Sequence, residues 1–315
     1  MAKGALPLIL ALLLTAIFAG CPAPPPADTD NGGQSKVTVV VTRDFGKELI
    51  LEEAIELEPG TNAMTALQAV AGVETKYGGG FVESIKGLNS QEANQLDWFY
   101  FINGISLSLG ARDYALRDGD VEHWDLRNWS YRQFVPAIIG AFPQPFLSGL
   151  KSEVKPTAVV YDKPFAEEAG ALAAELEARG VAGVLLTGAE ALSDGVKTGS
   201  NLIILGGADS GLILELNGRH KKLGFYAYFE GGKIIVLDGG GDPAGEYGAG
   251  WGLIQATQNP WSPGGVGSGE SAVFMVTGAD ESGVRNAAEA LINNSEGLRH
   301  AFAVLVNNNE IIKIP

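Results

Sequence analysis

The sequence predicts an α+β domain followed by an α/β three-layer domain with a mainly parallel sheet. The first domain is indicated by the aromatic segment Trp98–Ile102, which favours a strand and ends at the hairpin dipeptide Asn103-Gly104. The second is indicated by short apolar strands that alternate with helices from Thr157 onward. A length of 315 residues accommodates both domains, at roughly 150 residues each.

The amino terminus predicts export and lipid anchoring. Lys3 precedes the apolar run Leu6–Phe18, which is shorter than the about 20 residues that a bilayer crossing needs. The string Phe18-Ala19-Gly20-Cys21 then resembles the bacterial lipobox, in which the cysteine carries the lipid. We therefore expect residues 1–20 to be a signal peptide and residues 21–35 to be a lipidated cysteine with a disordered tether. A secretory signal followed by a free thiol at Cys21 is the alternative.

Residues 36–130 are predicted to form a β-grasp-like domain, in which one helix covers one face of a sheet. Strands are favoured by β-branched and aromatic runs, and the helix by an apolar stripe that follows a capping residue. In order, the predicted elements are the strands Val37–Thr42 and Leu49–Leu57, a helix capped by Thr61 or Asn62, and the strands Phe81–Ile85, Trp98–Ile102 and Val121–Leu126.

Four strings in this domain carry a family resemblance. They are Pro59-Gly60-Thr61, Ile85-Lys86-Gly87-Leu88, the run from Trp98 to Gly104, and the run from Tyr114 through Asp118-Gly119-Asp120 to Trp124. Together they resemble the DUF4430-type domain found at the C-terminus of the cobalamin carriers intrinsic factor and transcobalamin, and in many bacterial lipoproteins. The resemblance implies that residues 36–130 form one side of a clamp around a corrin ring.

A flat macrocycle requires a broad apolar platform with a few polar groups at its rim. The ligand-binding candidates in and after the aromatic strands are Trp98, Tyr100, Asn103, Trp124, Trp129 and Tyr131. Trp98 and Trp124 have the alternative role of core residues in a thin sheet. His123 is conceivable as an axial cobalt ligand, but a lone histidine on a strand is typical of structural roles.

The segment 131–155 is predicted to be an apolar, proline-rich connector. Within it, the prolines of Phe134–Leu150 interrupt regular structure, whereas its apolar side chains disfavour exposure to water. We expect this segment to pack along a domain or in the seam between the two domains. A docking role towards a membrane partner is the alternative.

Residues 156–315 are predicted to form the α/β domain. Its expected helices are Phe165–Arg179, Ala249–Thr257 and Ser282–Asn293. The apolar strands between them are expected to form one sheet, and they are Ala158–Tyr161, Val181–Thr187, Asn201–Leu205, Ile234–Leu237, Ala272–Thr277 and Ala301–Val306. Asn201–Asp209 and Ala272–Leu291 also resemble segments of surface-layer and cell-wall-associated proteins.

The net charge and the absence of several sequence motifs exclude some classes of function. The formal net charge is −15, with 17 acidic against 10 basic residues in 1–150 and 20 against 12 in 151–315, so no basic stripe is available for nucleic acid. The glycine-rich strand ends match no phosphate-binding string, and no nucleophile elbow or metal-spaced His/Cys cluster is present in the sequence. We therefore expect a protein that is not an enzyme and requires no cofactor.

Two functional hypotheses remain from the sequence. The first is an extracytoplasmic, lipid-anchored binding lipoprotein that captures cobalamin or another corrinoid as its ligand and hands it to a membrane importer. The second is a cell-envelope scaffold or interaction protein without a small-molecule ligand. An enzyme that uses the glycine-rich strand ends is a remote third.

Overall fold

The structure is a computed structural model that describes Met1 and residues 34–150 and 153–315. The predicted signal peptide, Cys21 and tether lie outside the described residues, apart from Met1 and the tether's last two residues. Residues Gln34–Pro315 form one compact unit. In the described part of the chain, none of the helices combines the length and hydrophobicity that a membrane crossing requires.

The amino-terminal part of this unit is strand-rich α+β structure. Its one α-helix is α1 (Ala63–Val70). Its strands are β1 (Ser35–Arg43), β2 (Glu48–Leu57), β3 (Val73–Lys76), β4 (Phe81–Ile85), β5 (Leu88–Asn89), β6 (Leu96–Ile102), β7 (Ile105–Ser106) and β8 (Val121–Asn128). Each element that the sequence predicts here is present.

Five of these strands form a sheet in the order β2-β1-β8-β6-β7, and β3, β4 and β5 form a second, small sheet. The first and last long strands, β1 and β8, are parallel neighbours, and antiparallel pairs flank them. Helix α1 packs with Ala63, Met64 and Leu67 against the core of one sheet face. The other face, which includes Phe45 and Phe101, meets the rest of the unit.

The connector is packed, as its apolar sequence predicts. Val135, Ile138 and Ile139 are buried, and the short helix α2 (Gln144–Leu147) buries Phe146. The backbone of the connector also forms hydrogen bonds with the residues that precede it and with those that follow it. The Ile138 amide donates to the Gly104 carbonyl, and the Gly140 amide donates to the Ala301 carbonyl.

The carboxy-terminal part contains a seven-stranded sheet with helices. Its helices are α3 (Ala166–Ala178), α4 (Asp194–Gly199), α5 (Gly211–Gly218) and α6 (Glu281–Asn293). Its strands are β9 (Thr157–Tyr161), β10 (Leu185–Gly188), β11 (Asn201–Leu205), β12 (Ala227–Glu230), β13 (Lys233–Leu237), β14 (Pro243–Tyr247), β15 (Gly252–Gln258), β16 (Ala272–Gly278), β17 (Ala303–Asn307) and β18 (Glu310–Ile314).

The large sheet has the order β10-β9-β11-β16-β15-β17-β18. The first four strands are parallel, but β15 is antiparallel to both of its neighbours and β18 is antiparallel to β17. The sheet is therefore mixed, and the prediction of a mainly parallel sheet is not confirmed. Continuous apolar strands show burial on both faces but do not reveal the direction of the chain.

Two expectations for this part are wrong. The predicted helix Ala249–Thr257 is instead β15, all of whose residues are buried between β16 and β17. A short apolar run has no periodicity that separates a buried strand from a buried helix. The run Ile234–Leu237 is a strand, but it belongs to a separate three-stranded sheet, β12-β13-β14.

Candidate functional site

The candidate site is a groove of about 590 Å³ on the helix-bearing side of the amino-terminal sheet. Its floor consists of aromatic residues on the adjacent strands β6 and β8, namely Trp98, Tyr100 and Trp124. The Tyr100 and Trp124 rings are stacked with centroids 5.0 Å apart. The groove's volume lies in the range of about 300–1,000 Å³ that is usual for small-molecule sites.

The sequence alone explains why these rings share a face. Alternate residues of a strand point to the same side, so Trp98 and Tyr100 project together from β6. Tyr100 is paired with Trp124 across the antiparallel β6–β8 ladder, which brings their side chains into contact.

Each polar atom of the floor already has a partner within the protein. The indole N–H of Trp98 donates to the Leu88 carbonyl at 3.1 Å, and the hydroxyl of Tyr100 donates to the Leu109 carbonyl. The indole N–H of Trp124 donates to the carboxyl of Glu122. Burial raises the pKa of Tyr100, so this hydroxyl keeps its proton. The floor therefore offers an apolar surface, and polar recognition falls to the rim.

One wall is formed by the segment from Tyr77 to Phe81, which encloses three glycines. Tyr77 is 87% exposed and has φ +52°, a left-handed conformation that is strained for an aromatic residue. Gly78 and Gly79 also have positive φ, which glycine tolerates. The Tyr77 ring lies edge-on to Phe81 with centroids 6.4 Å apart, so the wall presents an aromatic pair to solvent.

The opposite wall is the loop 110–113, which carries the charges of the groove. Arg112 donates from its guanidinium to the Gly78 carbonyl and so links the two walls. Asp113 lies beside it, and Asn62 lines the rim while its side chain caps α1 by accepting from the Thr65 amide at 2.9 Å. A second cavity of about 260 Å³ continues beyond Arg112 along α1.

Beside Trp124, on the same strand, lies a buried carboxyl group. Glu122 is fully buried, and burial raises its pKa to about 8. One of its oxygens accepts from Trp124, and the other, Oε2, has no hydrogen-bond partner among the described residues. The raised pKa favours the protonated, neutral form of Glu122 in the folded protein.

Of the six sequence-predicted ligand residues, the structure brings three together in the groove. Trp98 and Trp124 are mostly buried, whereas Tyr100 is half-buried. Asn103 is fully buried in the β6–β7 turn and does not line the groove.

The remaining two also lie elsewhere. Trp129 donates to the Asp97 carboxylate at 2.6 Å, and Tyr131 packs edge-on against Tyr226 with centroids 5.5 Å apart. Neither lines the groove.

His123 lies on the opposite face of the sheet. Its Nε2 is 2.7 Å from the hydroxyl oxygen of Thr42. This hydroxyl donates its proton to the Asp125 carboxylate at 2.6 Å. Its ring packs near His300 and Phe302, and burial lowers its pKa to about 3. A side chain in this position is part of the core and has no access to the groove. Among the described residues, no group of three or more His, Cys, Asp or Glu side chains is placed to hold a metal ion.

Sequence reasoning missed Tyr77, Phe81 and Arg112. Two aromatic residues that enclose three glycines were an available signal for an exposed loop with binding side chains. Arg112 carried no such signal, because its role depends on the approach of Gly78 from a distant part of the chain.

The comparisons with known proteins concern this same region. A family model described as "Domain of unknown function (DUF4430)" matches residues 60–128, which confirms the domain predicted from Trp98–Gly104 and Asp118–Trp124. No curated protein matches the chain.

Two solved structures show limited similarity to this chain. Haptocorrin in complex with Cbi is 17% identical with a TM-score of 0.28, and the match covers 31% of this chain and 26% of haptocorrin. A protein of Ruminococcus gnavus ATCC 29149, described as metal binding, is 18% identical with a TM-score of 0.24, and the match covers 30% of this chain and 97% of that one. At these TM-scores neither likeness bears on what this chain binds. The chain therefore contains a DUF4430-type region that carries the aromatic groove.

Proposed function

We propose that this protein is an extracytoplasmic, membrane-anchored binding lipoprotein whose groove captures a flat, largely apolar ligand, with a corrinoid as the leading candidate. The observation that carries the proposal is the open groove of about 590 Å³ with stacked aromatic rings in its floor. The corrinoid itself is suggested by the resemblance to the cobalamin carriers. The anchor is suggested by the lipobox-like string that ends at Cys21.

The groove divides recognition between its floor and its rim. Since the polar atoms of Trp98, Tyr100 and Trp124 are satisfied internally, the floor contacts the ligand through ring faces and edges. Arg112 and Asp113 then supply opposite charges at the edge of the ligand. A corrin has this distribution of groups, with an apolar ring plane and polar substituents around it.

Tyr77 is the side chain best placed to close over a ligand. It is the most exposed aromatic residue in the described part of the chain, and it stands next to three glycines that permit its backbone to move. An exposed ring that packs on a bound macrocycle loses little side-chain entropy and gains apolar contact. We therefore assign Tyr77 as the wall residue that contacts the ligand.

The direct test is a calorimetric titration of the purified protein with cobalamin, compared among the wild type and two variants. Tyr77→Ala removes the exposed wall, and Phe134→Ala removes an exposed aromatic ring of the connector that does not line the groove. We expect saturable binding that Tyr77→Ala weakens by about tenfold, which corresponds to about 1.4 kcal/mol, and that Phe134→Ala leaves unchanged.

Two results would count against the proposal. An absence of heat and of tryptophan quenching at high micromolar cobalamin would remove the corrinoid and leave the envelope-scaffold hypothesis ahead. Equal weakening by both variants would show that the binding site lies outside the groove.

A further inference from the structure

Strand β10 lies at one edge of the large sheet, where it is hydrogen-bonded to β9 alone among the described strands. Leu185 is paired with Ala158 and Leu186 with Val159. Ala158 and Val159 belong to the cores on opposite faces of the sheet. The two leucines therefore point to opposite faces.

Both leucines are exposed, at 44% for Leu185 and 42% for Leu186. In a sheet with parallel strands both faces are normally covered, as they are at Ala158 and Val159, which are both fully buried. At β10 the leucine on each face is exposed, although α3 contacts the strand, and the outer backbone edge has no partner among the described strands. An exposed, apolar strand edge of this kind pairs readily with another chain.

The edge strand β2 of the amino-terminal sheet is, by contrast, protected by charge. Strand β2 carries four glutamates, Glu48, Glu52, Glu53 and Glu56, in ten residues. Charged side chains on an edge strand oppose pairing with a second strand. Strand β18, at the far edge of the large sheet, likewise carries Glu310 and Lys313.

Further edges are covered or capped. The side chain of Asn217 bonds to both the amide and the carbonyl of Phe229 on β12, at 2.7 and 3.0 Å. The Ser106 amide of β7 donates to the Pro136 carbonyl of the connector at 2.9 Å. Strand β14 begins at Pro243, which has no amide proton to donate. Strand β10 has neither a charge nor a cap of this kind.

The absence of charged side chains around β10 allows a second copy of this chain to occupy this edge. No charged residue lies between Val181 and Ala189, although the net charge of the chain is −15. Two copies that meet along β10 therefore bring no carboxylates together at the strand pair. The same meeting along β2 would set glutamates against glutamates.

We propose that two copies of this protein associate through β10, with the two strands antiparallel about a two-fold axis. Residues directly opposite in an antiparallel pair point to the same face, so each leucine meets apolar residues of the other copy on its own face. The pairing satisfies the open backbone groups and joins the two large sheets into one continuous sheet. It is an isologous contact, in which the same surface serves both partners.

The experiment compares solution masses by light scattering over a range of protein concentrations. It uses the chain Gln34–Pro315, because this compact unit contains all of the hydrophobic clusters described above. We expect a dimer that Leu186→Lys converts to a monomer, with a dissociation constant raised by more than about tenfold, because each ammonium group would enter an apolar contact. Leu214→Lys is the matched control, since Leu214 is 52% exposed on α5 rather than on the strand.

A cross-linking measurement tests the strand pairing itself. The chain Gln34–Pro315 contains no cysteine, so Leu185→Cys, Leu186→Cys and the control Leu214→Cys each introduce a single thiol. Opposite residues of an antiparallel pair are close enough for a disulfide, and oxidation should cross-link a β10 variant and leave the control monomeric. A monomeric wild type, dissociation by Leu214→Lys, or the absence of cross-links from both strand variants would overturn the proposal.

Discussion

At the scale of single residues, the groove depends on side chains that serve the core and the ligand surface at once. Trp98 and Trp124 are mostly buried and fill the space beneath α1, yet they also form the floor of the groove. Removal of either ring would damage the fold as well as the site. Tyr77, which is exposed, is the residue that separates binding from stability.

Glu122 predicts a specific pH dependence of stability. Burial raises the pKa of Glu122 from 4.5 to about 8, so the folded protein holds a proton that the unfolded chain releases between these values. This contribution to the free energy of unfolding is complete below pH 4.5 and is lost as the pH rises through about 8. Glu122→Gln keeps an oxygen for the Trp124 indole but has no proton to lose.

We therefore expect Glu122→Gln to stabilise the protein relative to the wild type by more at high pH than at low pH. The difference should grow by up to about 1.4 kcal/mol per pH unit. Urea unfolding of both proteins at about pH 5 and about pH 8 measures it, and the comparison cancels the opposite contribution of His123. A difference that is the same at both pH values would show that Glu122 is ionised in the folded state.

At the scale of secondary structure elements, the β6–β7 turn shows how a local signal is reinforced by distant contacts. Asn103 has φ +52°, as the Asn-Gly dipeptide predicts. The side-chain NH2 group of Asn103 donates to the Asp120 carboxyl at 2.7 Å and to the Gly149 carbonyl at 2.8 Å. The side-chain oxygen of Asn103 accepts from the Val121 amide at 2.8 Å. The turn thus holds β8 and the end of the connector in place.

Asn103→Gly tests these contacts without backbone strain, because glycine tolerates the same φ. We expect the free energy of unfolding to fall by about 2–4 kcal/mol, since three buried groups lose their partners. Asn308→Gly is the control at another turn, with φ +50° and an exposed side chain, and it should change stability by less than about 0.5 kcal/mol. Equal effects in chemical unfolding would mean that the Asn103 side chain contributes nothing beyond its backbone conformation.

At the scale of the whole molecule, an aromatic cluster joins the two large sheets. Phe302, next to β17, packs edge-on against Phe45 and Phe101, each with centroids 5.3 Å apart. Ile138 of the connector and Tyr226 belong to the same buried cluster. The cluster explains why Gln34–Pro315 is one compact unit although its two parts have different architectures.

Phe302→Ala should destabilise both parts together by about 3–5 kcal/mol, because it leaves a cavity between them. Strand β6 lies in the first part and β16 in the second, so backbone amide hydrogen exchange measured separately for β6 and β16 during unfolding follows the two parts without altering the core. We expect coincident unfolding transitions in the wild type and a parallel shift in the variant. A shift confined to one part would show that the cluster does not couple the sheets.

The predicted anchor is tested on the full-length chain in cells. Cys21→Ala removes the proposed lipid attachment point, and we expect the protein to leave the membrane fraction or to accumulate unprocessed. Replacement of Ser35, the last residue of the predicted tether and the first of β1, by Ala is the control and should leave the protein at the membrane. A processed Cys21→Ala protein that stays in the membrane fraction would exclude lipid anchoring at this residue.

The sequence by itself determined most of the local structure. Alternation in Trp98–Ile102 predicted a strand with Trp98, Tyr100 and Ile102 on one face, and these three contribute to or pack against one core. The Asn-Gly turn and the capping residue Asn62 could also be predicted from the sequence, because their signals depend only on neighbouring backbone groups. The DUF4430-type region was recognisable for a similar reason, since each of its strings is short and contiguous in the sequence.

Tertiary structure alone decided strand direction and the walls of the groove. The run at β15 is buried on both faces, so only its position between β16 and β17 made it an antiparallel strand. Arg112 became part of the site because the chain brings it to the Gly78 carbonyl, 34 residues away. The solvent exposure of Tyr77, Leu185 and Leu186 was likewise settled by what the fold leaves uncovered, because exposure depends on contacts between residues that are distant in the sequence.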